Sequence, residues 1–158
     1  MKNHLSFKLR KIENSWYVVD NLPVFIPVAT YTKSRFANMI LYDVTLYSNY
    51  EEFSRYYMAQ LQISRSDHSI SDVRYLHEIS QFFGNLPNLQ FTSARRSSTI
   101  KKIDGQSSFT FGKRYLIGEN LFIPLAVKLH HACADPFVFD KLLQDFQRRF
   151  TPNGIIAI

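Results

Sequence analysis

Residues 129–137 read Leu-His-His-Ala-Cys-Ala-Asp-Pro-Phe, an imidazole pair and a carboxylate crowded where an apolar run stops. Upstream, Leu121, Ile123, Leu125, Val127, Leu129 and His131 fall on every second position. A strand through this region carries all six on one face. Pro136 argues against a helix through 131–135, because its ring and missing N–H are tolerated at a helix start and disruptive inside one. Asp135 is then the N-cap, Pro136 the first helical residue, and the stretch reads as strand, turn, helix. Strand alternation sends His130 and His131 to opposite faces, so they do not ligate one ion together. Cys133 is the only cysteine and His4, His68 and His77 are scattered, so no metal is expected. A neutral imidazole at the rim of an apolar row, beside a carboxylate-bearing turn, is suited to act as a general base. Spacing alone favours the plainer reading: a satisfied buried histidine and a helix cap.

Downstream, Phe137, Phe139, Leu142, Leu143, Phe146 and Phe150 approximate a helical apolar stripe. Arg148 and Arg149 complement its C-terminal dipole before Thr-Pro-Asn-Gly stops it. Upstream, the alternation predicts strands over 89–93 and 108–111, then a hairpin through Gly118-Glu119-Asn120 into one long strand ending at His131. Near the N-terminus, strands over Leu5–Ile12 and Trp16–Asp20 flank a polar Glu13-Asn14-Ser15 turn, and further strands cover Val24–Thr30 and Met39–Tyr47. Ser48 and Glu51 form a capping box for a helix over 49–62, with Phe53, Tyr57 and Leu61 inward. Residues 64–72 read as loop, and Asp72–Phe83 as a second helix ended by Gly84. There are no internal repeats.

A chain of 158 residues with 46% hydrophobic and 15% aromatic content is sized for one domain and far from the composition of disorder. The single cysteine rules out an internal disulfide, and Met1–Ser6 has neither the basic start nor the apolar stretch of a signal peptide. No apolar run approaches the ~20 residues of a membrane helix. A cytoplasmic protein is expected. The net charge of +6 is concentrated in residues 95–114, where Arg95, Arg96, Lys101, Lys102, Lys113 and Arg114 face only Asp104. That segment reads as a solvated basic loop, with a phosphate site or a nucleic-acid contact as the sharper alternatives.

These residues resemble the chloramphenicol acetyltransferase family, whose signature is HHxxxDG after a strand of the form LPLA. The match is Pro124-Leu125-Ala126-Val127-Lys128-Leu129-His130-His131, then Asp135. Dihydrolipoyl acyltransferase cores and peptide-synthetase condensation domains carry versions of the motif, so three further segments narrow the choice. Phe109–Lys113 resembles the strand before the family's hairpin, Leu86–Ser93 its PWxxFTSF block, and Phe7–Asp20 its early hairpin, all in the family's order.

The resemblance implies an α/β two-layer sandwich: a mixed, largely antiparallel sheet packed by helices, over a single domain 1–158 that lacks the family's N-terminal portion. It implies CoA-dependent O-acetyl transfer from acetyl-CoA as co-substrate, without a metal, to a hydroxyl of chloramphenicol or a similar small molecule, a route to antibiotic resistance. His131 matches the general base and Ser93 the donor to the tetrahedral oxyanion. Asp135 matches an aspartate that orients the site by pairing with an N-terminal arginine. A homotrimer with sites between subunits is implied as well. The missing arginine, Pro136 in place of the motif's glycine, and Ala94-Arg95-Arg96 after Ser93 depart from the pattern. They keep a second reading open, an inactive, shortened member that serves as a binding or assembly protein. Nucleic-acid binding through 95–114 is a third.

Overall fold

The computed structural model describes residues 4–29, 37–42, 49–66, 79–92 and 103–148. Its centre is a five-stranded mixed sheet in the order β10-β7-β5-β3-β4, formed by β3 (Val24–Ala29), β4 (Ala37–Tyr42), β5 (Gln81–Asn85), β7 (Ser108–Phe111) and β10 (Leu125–Lys128). The inner pairs β3–β5 and β5–β7 are parallel; the outer pairs β3–β4 and β7–β10 are antiparallel. A smaller antiparallel sheet joins β1 (Leu9–Ile12), β2 (Ser15–Val18) and β6 (Ile103–Asp104), and β8 (Tyr115–Ile117) with β9 (Asn120–Phe122) makes a hairpin. This is the two-layer α/β architecture expected, with antiparallel pairing prevailing outside the central strands.

Register decides which residues form the core. Pairing of Val24 with Gln81, Phe83 with Phe109, Phe111 with Leu125 and Phe109 with Val127 puts these side chains on one face of the sheet. Both described α-helices pack on that face. Helix α1 (Tyr50–Ser66) lays Phe53, Tyr57 and Leu61 on Val24 and Ile26 of β3. Helix α2 (Pro136–Arg148) lays Val138, Phe139 and Leu142 over Phe109, Val127 and the fully buried Phe7.

Several sequence expectations change for physical reasons. Leu5–Lys8 is a 3₁₀ turn rather than strand. The turn tucks Phe7 beneath α2, where burying a phenylalanine stabilises by about 3 kcal/mol. The cap of α1 is Asn49, whose Oδ1 accepts from Glu52 N at 2.9 Å, so the helix begins one residue later than the Ser48 box predicts and runs on to Ser66. Gln81–Phe83 belongs to β5, not to a helix, because these residues pair on both sides with parallel strands. Residues 72–78, and the ends of the predicted strands at Thr30 and 43–47, lie outside the described residues. The 89–92 segment is irregular, held by a turn in which Leu89 N donates to Leu86 O at 3.0 Å. The long strand is two strands, β9 and β10, broken at Ile123-Pro124, where proline has no N–H for a ladder. Phe137 faces solvent at 64% exposure and lies outside the α2 stripe.

One charged residue joins these parts. Arg10, on β1, is completely buried, and among the described residues its guanidinium donates only to backbone carbonyls. Nε reaches Ile79 O at 2.9 Å; one terminal nitrogen reaches Leu9 O at 2.7 Å, Phe7 O at 3.1 Å and Gly105 O at 3.2 Å; the other reaches Ser80 O at 3.2 Å. Gly105 must be glycine: φ is +94°, and a Cβ would stand 2.6 Å from Leu9 O. Burial lowers the Arg10 pKa to about 10, with the nearby Cys133 raising it slightly against that trend, so the group stays cationic at neutral pH. The folded pKa lies below the unfolded one, so the charge itself costs stability at every pH below about 10. What stabilises is the set of five hydrogen bonds, and lysine cannot reproduce the planar fork.

Removing the guanidinium takes five hydrogen bonds from buried carbonyls, of which Ser80 O keeps a second donor in Gln106 Nε2. Arg10→Ala and Arg10→Lys are each expected to destabilise the fold by about 3 kcal/mol, roughly a 10 °C drop in melting temperature. A thermal melt followed by circular dichroism measures it, and a Lys variant that melts like the parent contradicts the account.

Candidate active site

The strand–turn–helix reading of 129–137 describes what the chain does. Beyond Lys128 the backbone leaves β10 and turns through His131–Cys133 into α2. The His130 carbonyl accepts from Cys133 N at 2.9 Å and Ala134 N at 3.1 Å, closing the turn. His130 itself is pinned: Ala132 N donates to its Nδ1 at 3.3 Å, and the Trp16 ring of β2 meets it edge-on with centroids 5.5 Å apart. A neutral His130 therefore carries its proton on Nε2.

His131 does not end a strand-borne apolar row, because β10 stops at Lys128 and the row is interrupted at Pro124. Its imidazole is exposed, presented from the turn, and no hydrogen bond to it forms among the described residues. Asp135 is also exposed. Its Oδ1 accepts from Val138 N at 2.8 Å and its carbonyl from Phe139 N at 3.0 Å, which makes it the N-cap with Pro136 at N1. Its charge faces solvent and the positive end of the α2 dipole, so the cost of an unpaired buried carboxylate does not arise.

The buried arginine of β1, Arg10, whose field reaches Cys133 of this turn, serves carbonyls and forms no ion pair with Asp135. Sequence reading missed it because Arg10 follows Lys8 in an ordinary polar–apolar alternation; only the assembled sheets reveal that the position points inward. Cys133 is buried, and burial pushes its thiol up despite the opposing field of Arg10, so it is not a thiolate nucleophile at neutral pH. Among the described residues no cluster of three metal-ligating side chains forms, and no helix is long and apolar enough to cross a membrane.

Ser93 lies outside the described residues, but its approach is defined. Lys113 N donates to Leu89 O at 2.9 Å, and Gly112 leaves no room for a side chain: a Cβ there would stand 2.8 Å from the Phe91 ring. The 89–91 segment thus runs beside the C-terminal end of β7. His131 follows the other end, since Lys128 pairs with Ser108 and Leu125 with Phe111. From Ser108 to Gly112 is about 13 Å at the rise of a strand. Within one chain the approach to residue 93 and the His131 turn therefore sit at opposite ends of the β7–β10 pair.

A cavity of about 830 Å³ opens at the Phe111 end. Its floor is Val24, Ile26, Phe83 and Phe111, its walls include Phe53 and Tyr57 of α1 and Phe146 of α2, and Lys113 and Arg114 stand at its rim. His131 is not among its lining residues. Of the basic segment picked out in the sequence, these two cations border the cavity, and 95–102 lie outside the described residues.

Together the elements define a two-layer α/β protein with a mixed sheet covered on one face by helices. The solved structure of a chloramphenicol acetyltransferase shares this fold, with a TM-score of 0.75 and 15% identity, over 92% of this chain and 71% of that one. No family model matches the sequence, and no curated protein matches it.

The N-cap can be tested apart from any activity. Asp135→Ala is expected to lower stability by about 1 kcal/mol, some 2–4 °C in melting temperature, whereas Asp135→Asn keeps a capping oxygen and stays near the parent. Equal losses in both variants would assign Asp135 a role other than capping.

Proposed function

We propose that the chain is a CoA-dependent O-acetyltransferase of the chloramphenicol acetyltransferase type. The observation that carries this reading is the coincidence of that fold with an HHxxxD stretch lying at a strand–turn–helix junction, its second imidazole exposed and its first held against Trp16. In the proposed reaction His131 takes the proton of an acceptor hydroxyl as its oxygen attacks the acetyl thioester carbonyl. The Ser93 hydroxyl donates to the resulting oxyanion, and the imidazolium returns the proton to the departing CoA sulfur. Asp135 acts by capping α2 and fixing the turn that presents His131.

The opposed positions of the two approaches support a site composed across subunits, His131 from one chain and Ser93 from the next, in a homotrimer acting in the cytoplasm. The acceptor is a small hydroxylated molecule, chloramphenicol or one like it. A second reading, a non-catalytic binding or assembly protein, draws on the neighbour's extra length, since the matched part is 71% of that chain.

Thioester cleavage by the purified chain, followed with a thiol reagent in the presence of acetyl-CoA and chloramphenicol, separates the two. His131→Ala is expected to abolish turnover, and Ser93→Ala to lower kcat about 100-fold. Subunits of the two variants, unfolded and refolded together, should regain activity, because mixed trimers contain sites with both groups intact. Turnover unaffected by His131→Ala rejects the proposed chemistry, and failure of the mixture to recover rejects the shared site.

A further inference from the structure

We infer that the cavity between α1 and α2 binds an amphiphilic anion, an aliphatic carboxylate whose chain lies on the sheet and whose head group meets Lys113 and Arg114. The cavity opens at the Phe111 end of the sheet, on the side of the 86–92 segment, while the His131 turn lies past the Ser108 end, so its binding can be tested without the proposed base.

Four observations lead there. The volume of about 830 Å³ falls in the range of roughly 300–1,000 Å³ that holds small organic ligands. The floor is hydrocarbon: Val24, Ile26, Phe83 and Phe111 share one sheet face and are only half-buried, so an aliphatic chain laid on them removes apolar surface from water. The position is outside the carboxyl ends of the parallel strands β5 and β7, the usual crevice for ligands in open α/β sheets.

The fourth observation selects the ligand. Among the described residues, Lys113 and Arg114 are the only charged ones lining the cavity; both are exposed, and neither is paired there with a carboxylate. The backbone that carries them is anchored, with Lys113 N on Leu89 O and Gly112 N on Pro124 O, both at 2.9 Å. A neutral lipid leaves the two cations unused, and among the described residues a polyanion finds no further cation in the lining. One carboxylate on a hydrocarbon chain satisfies both ends.

The experiment is calorimetric titration of the full chain with octanoate, decanoate and dodecanoate below their micelle-forming concentrations. One site per chain is expected, tightening about fourfold per added methylene until the cavity is filled. The double variant Lys113→Glu/Arg114→Glu should weaken dodecanoate about tenfold while leaving dodecanol unchanged. Ile123→Glu, at a lining position 40% exposed, should abolish binding while the far-ultraviolet spectrum stays that of the parent. His131→Ala should bind dodecanoate as the parent does, whether or not it retains acetyl transfer. Absence of saturable binding, affinity independent of chain length, or indifference to the charge reversal overturns the inference. So does a parent protein that binds no dodecanoate and self-associates until Ile123→Glu makes it monomeric, because the cavity is then a surface between copies.

Discussion

The structure depends on a cation buried without a counterion. Arg10 reaches carbonyls from the 3₁₀ turn, from β1, from the entry to β5 and from the Gly105 bend, so one planar group ties the small sheet to the central one. Such a group is tolerable only when its donors find acceptors, and here the acceptors are backbone carbonyls of four separate segments, one of which, Ser80 O, it shares with Gln106 Nε2. Gly105 is part of the same device, since its positive φ brings its carbonyl to the guanidinium and its missing Cβ lets Leu9 approach. The buried polar surroundings of Ser80, Gln81, Gln106 and Ser107 continue this seam.

From that anchor the position of the histidine turn follows. β1 is held by Arg10, β2 is held to β1, and Trp16 of β2 meets His130, so the imidazole pair is braced from the small sheet as well as from β10. The brace treats the two histidines unequally. His130 is a fixed element of the scaffold, and His131, one residue on, stands clear of it. In the proposed reaction the base must meet its substrate, and the exposed member of the pair is the one open to it.

The central sheet has two contrasting ends. At the Ser108 end lies the His131 turn with Asp135 capping α2; at the Phe111 end lie the 86–92 segment, the two rim cations and the apolar cavity. The length of β7 keeps these ends apart within one chain. Chemistry that joins them calls for a second chain, whereas binding confined to the cavity does not.

Much of this was legible in the sequence, for reasons that are local. Proline geometry alone placed the start of α2 at Pro136 and made Asp135 its cap, and strand-like apolar segments bounded by turn residues marked β3, β7 and the β8–β9 hairpin. What was not legible depends on partners distant along the chain. Phe82-Phe83-Gly84 reads as a helix end until β3 and β7 supply parallel neighbours; the apolar row toward His131 reads as continuous until Pro124 is asked to enter a ladder. Arg10 reads as a surface residue until two sheets close over it. A residue's own backbone preferences are written beside it, but burial, register and the sharing of a hydrogen-bond donor among segments are properties of the assembled chain, and only the tertiary structure decided them.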